Sequence, residues 1–194
     1  VFDFGVARRA LLTVAAAACL SACGTTRRLP TYEPPLARTE FQTVRTTAYT
    51  DTESDHRRYG PRDALGGTLH AASAPIPAEP PPAAPFPAPP TYGSAAADWS
   101  RWPAGTVFRL VATGQLYRVD DYGWALSGRN TIDLYMPTRE MMNAWEVRRL
   151  DIQIVQWGDR DESLRILRPR DKYRHIHRMV LELEGKHRAA ARME

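Results

Sequence analysis

The sequence predicts a mainly β fold: a small closed barrel with one or two short helices, followed by a basic C-terminal helix. Three observations carry this expectation. Short runs of β-branched and aromatic residues recur between glycine turns from about residue 41 to 158. The segment Leu150 to Trp157 alternates between apolar and polar positions with one break at Ile154-Val155, the signature of a half-buried strand. A proline-dense stretch interrupts these strands but does not end them, so it reads as an insertion within one domain.

Taken in order, the chain opens with Arg8 and Arg9 ahead of an apolar run, Ala10 to Leu20. That run is shorter than the roughly 20 apolar residues of a permanent membrane helix, so residues 1–22 read as an export signal. Leu20-Ser21-Ala22-Cys23 closes it and resembles a bacterial lipobox. This implies cleavage before Cys23, lipidation of Cys23, and an exported protein anchored by lipid in the cell envelope. In a Gram-negative cell, Gly24 after Cys23 points to the periplasmic face of the outer membrane. Cys19 would leave with the signal, so the mature chain would hold no thiol for a disulfide or a thiolate metal site. Residues 23–40 are rich in Thr, Arg and Pro and read as a tether.

Gln42 to Thr50 is rich in β-branched residues and predicts a strand. A polar run and the Gly66-Gly67 turn follow. Residues 74–92 form the proline-rich insertion, whose run from Pro75 to Pro90 would reach roughly 50 Å as polyproline II at about 3.1 Å per residue. Thr106 to Val111, Leu116 to Val119 and Thr131 to Tyr135 are further strands. Pro137 to Arg149 is helix-compatible, with Thr138 placed to cap it and Glu140 in its first turn. After Gly158, residues 159–194 read as a charged helical tail. Between Arg170 and Glu184, an apolar stripe of Tyr173, Ile176, Met179, Val180 and Leu183 is expected to pack on the barrel or a second copy.

The net charge of +4 is modest, and its excess lies largely in residues 159–194. The barrel segment is close to neutral, which removes support for a nucleic-acid-binding face.

The segment from Val119 to Tyr135 carries the chemistry. It sets Asp121 and Asp133 at the two ends of a glycine-punctuated turn, each flanked by strand-forming residues. A third carboxylate, Asp98, precedes Trp99, Trp102 and Gly105, and Asp120 is expected on the solvent side of its turn. Carboxylates held together at strand ends suit glycosyl transfer, a divalent cation, or simple capping of backbone N–H groups.

These segments resemble the 3D domain, a six-stranded double-psi β-barrel named for three aspartates, which also forms the C-terminal part of membrane-bound lytic transglycosylase A. Thr47-Ala48-Tyr49 matches its first strand and Gly66-Gly67 its glycine turn. Asp98, Pro103, Gly105 and Thr106 match a further element, and so do Asp121, Gly123, Gly128, Ile132, Asp133, Leu134 and Tyr135. The resemblance places a barrel over residues 41–158. It implies action on peptidoglycan by lytic-transglycosylase-like cleavage of β-1,4 bonds, with no cofactor and no metal. Asp133 becomes the acid/base, Asp121 the group that raises its proton affinity, and Asp98 a supporting brace. Tyr49, Tyr122, Trp124 and Trp102, with Trp99, become sugar-stacking residues. The resemblance does not extend to the large second domain that completes the glycan groove in the full transglycosylase. The alternative is therefore a non-catalytic peptidoglycan-binding module.

Overall fold

The computed structural model describes residues 28–54, 56–57, 59–73 and 91–193. The export signal, Cys23 and most of the proline-rich insertion lie outside these. Six strands form a closed barrel: β1 (Phe41–Tyr49), β2 (Gly93–Ala97), β3 (Val107–Leu110), β4 (Leu116–Asp121), β5 (Thr131–Tyr135) and β6 (Arg148–Gln156). Their order around the barrel is β1-β5-β2-β4-β3-β6. The sheet is mixed. The β1/β5 and β2/β4 pairs are parallel and the others antiparallel.

Alternate positions fill the interior. Val44, Ala95, Ala97, Phe108, Leu110, Tyr117, Val119, Ile132, Leu134, Ile152 and Ile154 share one buried core, with Trp99 and Trp102 packed into it. Phe108 and Tyr117, paired across β3 and β4, stack with centroids 5.7 Å apart. Such apolar burial is the main stabilising term of the domain.

β2 is the strand that sequence reading missed. Its residues, Gly-Ser-Ala-Ala-Ala, have low strand propensity, yet all five are buried between β5 and β4. Small side chains are needed there. A Cβ on Gly93 would lie 2.7 Å from the Tyr117 ring and 2.8 Å from the Ala72 methyl.

Helix α1 (Arg139–Trp145) begins at Thr138, whose side chain accepts the Met141 N–H as expected for a cap. Beyond β6, the chain crosses closely over the turn at Pro103–Thr106. A Cβ on Gly158 would sit 2.3 Å from the Ala104 carbonyl oxygen, so only glycine passes. Helices α2 (Arg160–Leu167), α3 (Arg174–Leu183) and α4 (His187–Ala191) follow. No helix among the described residues is long and apolar enough to cross a membrane.

The C-terminal segment packs on the barrel, as its apolar stripe predicts: Leu167, Ile176, Met179 and Val180 belong to the barrel's own core. Arg178 on α3 is fully buried and donates to the carbonyls of Pro30 (2.7 Å), Ser127 (3.1 Å) and Met193. Glu182 accepts from the Ser100 hydroxyl at 2.7 Å. The described part of the supposed tether, residues 28–40, also lies on the barrel. Leu29 is buried, the Glu33 N–H donates to the Gly128 carbonyl at 2.8 Å, and the Glu33 carboxylate accepts from the Asn130 N–H at 2.7 Å. Backbone groups with such partners do not behave as a free linker.

Candidate active site on the outer barrel wall

Strand register builds the site. Ala96 of β2 pairs with Asp133 of β5 on one side and Asp121 of β4 on the other, and Thr47 of β1 pairs with Asp133. Paired residues project from the same face of a sheet, so Thr47, Asp133, Ala96 and Asp121 form one row across four strands. Their strand neighbours Ala95, Ala97, Ile132 and Leu134 face the core. The row therefore lies on the outer wall. The two aspartate Cα atoms are two strand spacings apart, roughly 10 Å.

A β-bulge adds a further carboxylate. Ala95 pairs with Val119 but Ala96 with Asp121, which leaves Asp120 as the extra residue. The bulge lets two successive aspartates avoid the core that Val119 enters. Asp120 is consequently not on the solvent side of a turn: it is 7% exposed and accepts from the Ser94 hydroxyl at 2.7 Å. The loop after β1 covers this end of the row. Ala64 donates its N–H to the Asp120 carbonyl at 3.1 Å. Asp63 fixes the loop by accepting from the N–H groups of Leu65 (2.9 Å) and Gly67 (2.7 Å). Tyr49, Leu69, Leu126 and Tyr135 close an apolar cluster over Ala96.

Burial and crowded charge set the protonation states. Asp121 is 8% exposed, and its carboxyl is pushed up from 3.8 to about 7. Burial is the main cause; the charges of Asp120, Asp63 and Asp133 add to it, and the Tyr122 N–H bond at 2.8 Å opposes it. Asp120 is likewise pushed to about 7, by burial first and then by Asp63, against the hydrogen bond from Ser94. The Tyr49 hydroxyl is held well above its ordinary value by burial and by the same carboxylates. Asp133 is partly exposed, and its Oδ1 accepts the Thr47 hydroxyl at 2.7 Å. His56 brings Nδ1 to 4.0 Å from the Asp121 carboxylate and its ring to 5.6 Å from Tyr49. Three buried polar atoms here have no hydrogen-bond partner among the described residues: Tyr49 Oη, His56 Nε2 and Asp120 Oδ1. Unsatisfied buried atoms are uncommon, and these three sit together beside the acidic row.

The remaining expected site residues are distributed elsewhere. Asp98 is fully buried and outside the row; it accepts from Ser100 N–H (2.8 Å), Ser100 Oγ (2.5 Å) and Gly128 N–H (2.5 Å), with Arg101 at 4.0 Å. It ties the turn after β2 to the loop before β5. Trp102 is 1% exposed and donates inward to Gln42 at 2.9 Å, which corrects the expectation that it stacks on a sugar. Trp99 is equally buried, but its indole N–H holds the Asp121 carbonyl at 2.8 Å and so positions the bulged strand end. Tyr49 is buried in the site rather than displayed on a surface. Tyr122 is half-buried, edge-on to Trp99 at 4.9 Å, and Trp124 is partly exposed at a short 3-10 turn.

Sequence reasoning missed His56, Asp63 and the inward placement of Asp120, and took Tyr135 only as a motif match. Only Asp63 had a local signal, an aspartate just ahead of a double-glycine turn. Among the described residues, no three His, Cys, Asp or Glu side chains gather as metal ligands. Two surface cavities are prominent: an apolar one of about 290 Å³ beside Tyr135 and Trp145, and a polar one of about 1240 Å³ beneath α2. Neither is lined by Asp121 or Asp133.

Fold and site together define a small closed mixed β-barrel with a partly protonated carboxylate cluster on its outer wall. The chain matches no known protein family and no curated protein.

Proposed function

We propose that the protein is a lipid-anchored envelope enzyme that cleaves the β-1,4 glycosidic bonds of peptidoglycan as a lytic transglycosylase does. The observation that carries this reading is the unequal pair on one face: Asp121, its carboxyl near 7, and the more open Asp133, separated by a residue no larger than Ala96. A general acid works best with a proton affinity close to the working pH. Asp121 therefore takes the donor role in this reading, in exchange with the assignment drawn from the resemblance. It gives its proton to the bridging glycosidic oxygen as the bond from that oxygen to the anomeric carbon breaks. Asp133, as carboxylate, faces the positive charge developing at that carbon. Asp121, now ionised, removes the proton of the sugar's own 6-hydroxyl, whose oxygen closes the 1,6-anhydro ring. Tyr49 and His56 supply unpaired polar atoms to orient the sugar.

Purified full-length protein incubated with sacculi tests this directly. The expected products are 1,6-anhydro muropeptides, with release falling at least about a hundredfold in Asp121→Asn and Asp133→Asn, the size of loss that removing an acid catalyst produces. Wild-type release by either variant would sink the assignment. The second reading, a peptidoglycan-binding module, draws on the closed surroundings of Asp121 and predicts sedimentation with sacculi without any release.

A further inference from the structure

We infer that the polar groove beneath α2 is a binding site for a carboxylate-bearing saccharide chain. Arg38, Arg118, Arg160, Arg165 and Arg170 line it, together with Asp159, Asp161 and Glu162. Among the described residues only one of these arginines is in an ion pair, Arg165 with Glu162. The Asp159 carboxylate is occupied in accepting the N–H groups of Asp161 and Glu162 at 2.8 and 3.0 Å. The lining thus carries five guanidinium groups against three carboxylates, an excess of two positive charges.

Their arrangement is specific. Arg38 places its guanidinium carbon over the Trp157 ring, 4.1 Å from its centroid. A stacked, planar guanidinium presents two parallel donors, the geometry that a carboxylate accepts. Arg160 is held from behind by the carbonyls of Ser100 (3.4 Å) and Leu183 (3.3 Å), close enough to Arg38 for its charge, after burial, to lower the Arg38 pKa. Two like charges held side by side favour an anion between them. Arg118 stands exposed on β4, and Tyr92 offers an aromatic face on the groove wall.

Size and shape select the ligand class. About 1240 Å³ exceeds the roughly 300–1,000 Å³ that encloses a small molecule, so an extended chain fits better. A concave groove does not match a planar lipid surface. A single nucleic-acid strand would find only one free aromatic face among these lining residues, Tyr92, since Arg38 occupies that of Trp157. Hydrogen bonds link the groove edge to the acidic row, which does not itself line the groove: Arg170 donates to the Tyr122 hydroxyl at 2.7 Å, and the Tyr122 N–H bonds the Asp121 carboxylate. Binding in the groove stands apart from cleavage and holds whether or not Asp121 acts as an acid.

Affinity electrophoresis of the full chain through gels containing polygalacturonate, dextran or single-stranded DNA tests the assignment. Retardation by polygalacturonate and not by dextran is expected, weakened about tenfold or more in Arg38→Gln and Arg118→Gln. Arg149→Gln, on the exposed face of β6, should bind as wild type. Equal retardation by dextran would overturn the carboxylate requirement, and stronger retardation by DNA would overturn the saccharide class. Unchanged binding by both groove variants, with circular dichroism showing the native fold, would overturn the site itself.

Discussion

Replacing Asp121 with asparagine should make the protein more stable in alkaline solution and leave it nearly unchanged in acid. The folded chain binds the Asp121 proton more tightly than the unfolded chain does. That interaction contributes fully below the unfolded value of 3.8 and is lost as pH climbs through about 7. A rise from 3.8 to about 7, at about 1.4 kcal/mol per tenfold change in proton affinity, corresponds to roughly 4 kcal/mol at most. Part of it belongs jointly to Asp120, whose charge is among the causes. Asparagine keeps an oxygen for the Tyr122 N–H and cannot ionise. Only the fall from pH 5 to about 7 lies within the tested range, so the stability gain should be about 1–3 kcal/mol larger at pH 8.5 than at pH 5. Urea denaturation of both proteins from pH 4.5 to 8.5 measures it, with wild-type stability falling across the interval. A flat wild-type profile, or an equal effect of the substitution at both ends, would refute the account of a buried acid. Stability gained together with lost glycan cleavage would mark the site as one where function opposes folding.

Two further substitutions check the packing. Gly93→Ala should destabilise the fold by about 1–3 kcal/mol in urea titration, because the new methyl meets the Tyr117 ring and the Ala72 methyl inside a filled wall. Trp102→Phe should lower stability by about 1–3 kcal/mol through the unpaired Gln42 oxygen, while sedimentation with sacculi stays unchanged because the ring never reaches the surface.

The strands legible in the sequence were those with a periodic contrast between two environments. β1 and β6 have one face on the core and one toward solvent, so alternation reveals them. β2 has no such contrast, since every residue is buried and small, and composition alone reads it as a loop. The row of Asp121 and Asp133 was half legible. Both residues stood out beside glycines, but their neighbourhood depends on the Ala96 register and on the bulge at Asp120, which couple segments far apart in sequence. His56 had no signal because its place comes from how the loop after β1 folds back over β4. Trp102 misled for a related reason: an aromatic beside a turn looks displayed until Gln42 of another strand is found against it.

Arg178 ties the beginning of the described chain to its end, through Pro30 on one side and Met193 on the other. Its guanidinium cannot be satisfied until both segments are present, and β1 likewise waits for β6 before the barrel can close. Contacts of such long sequence separation are slow to form. A chain that emerges amino end first would stay open, and exposed to proteases, until the segment around Met193 is free. Pulse-labelled chains truncated shortly before Met193 should then remain protease-sensitive, long after every strand has been made.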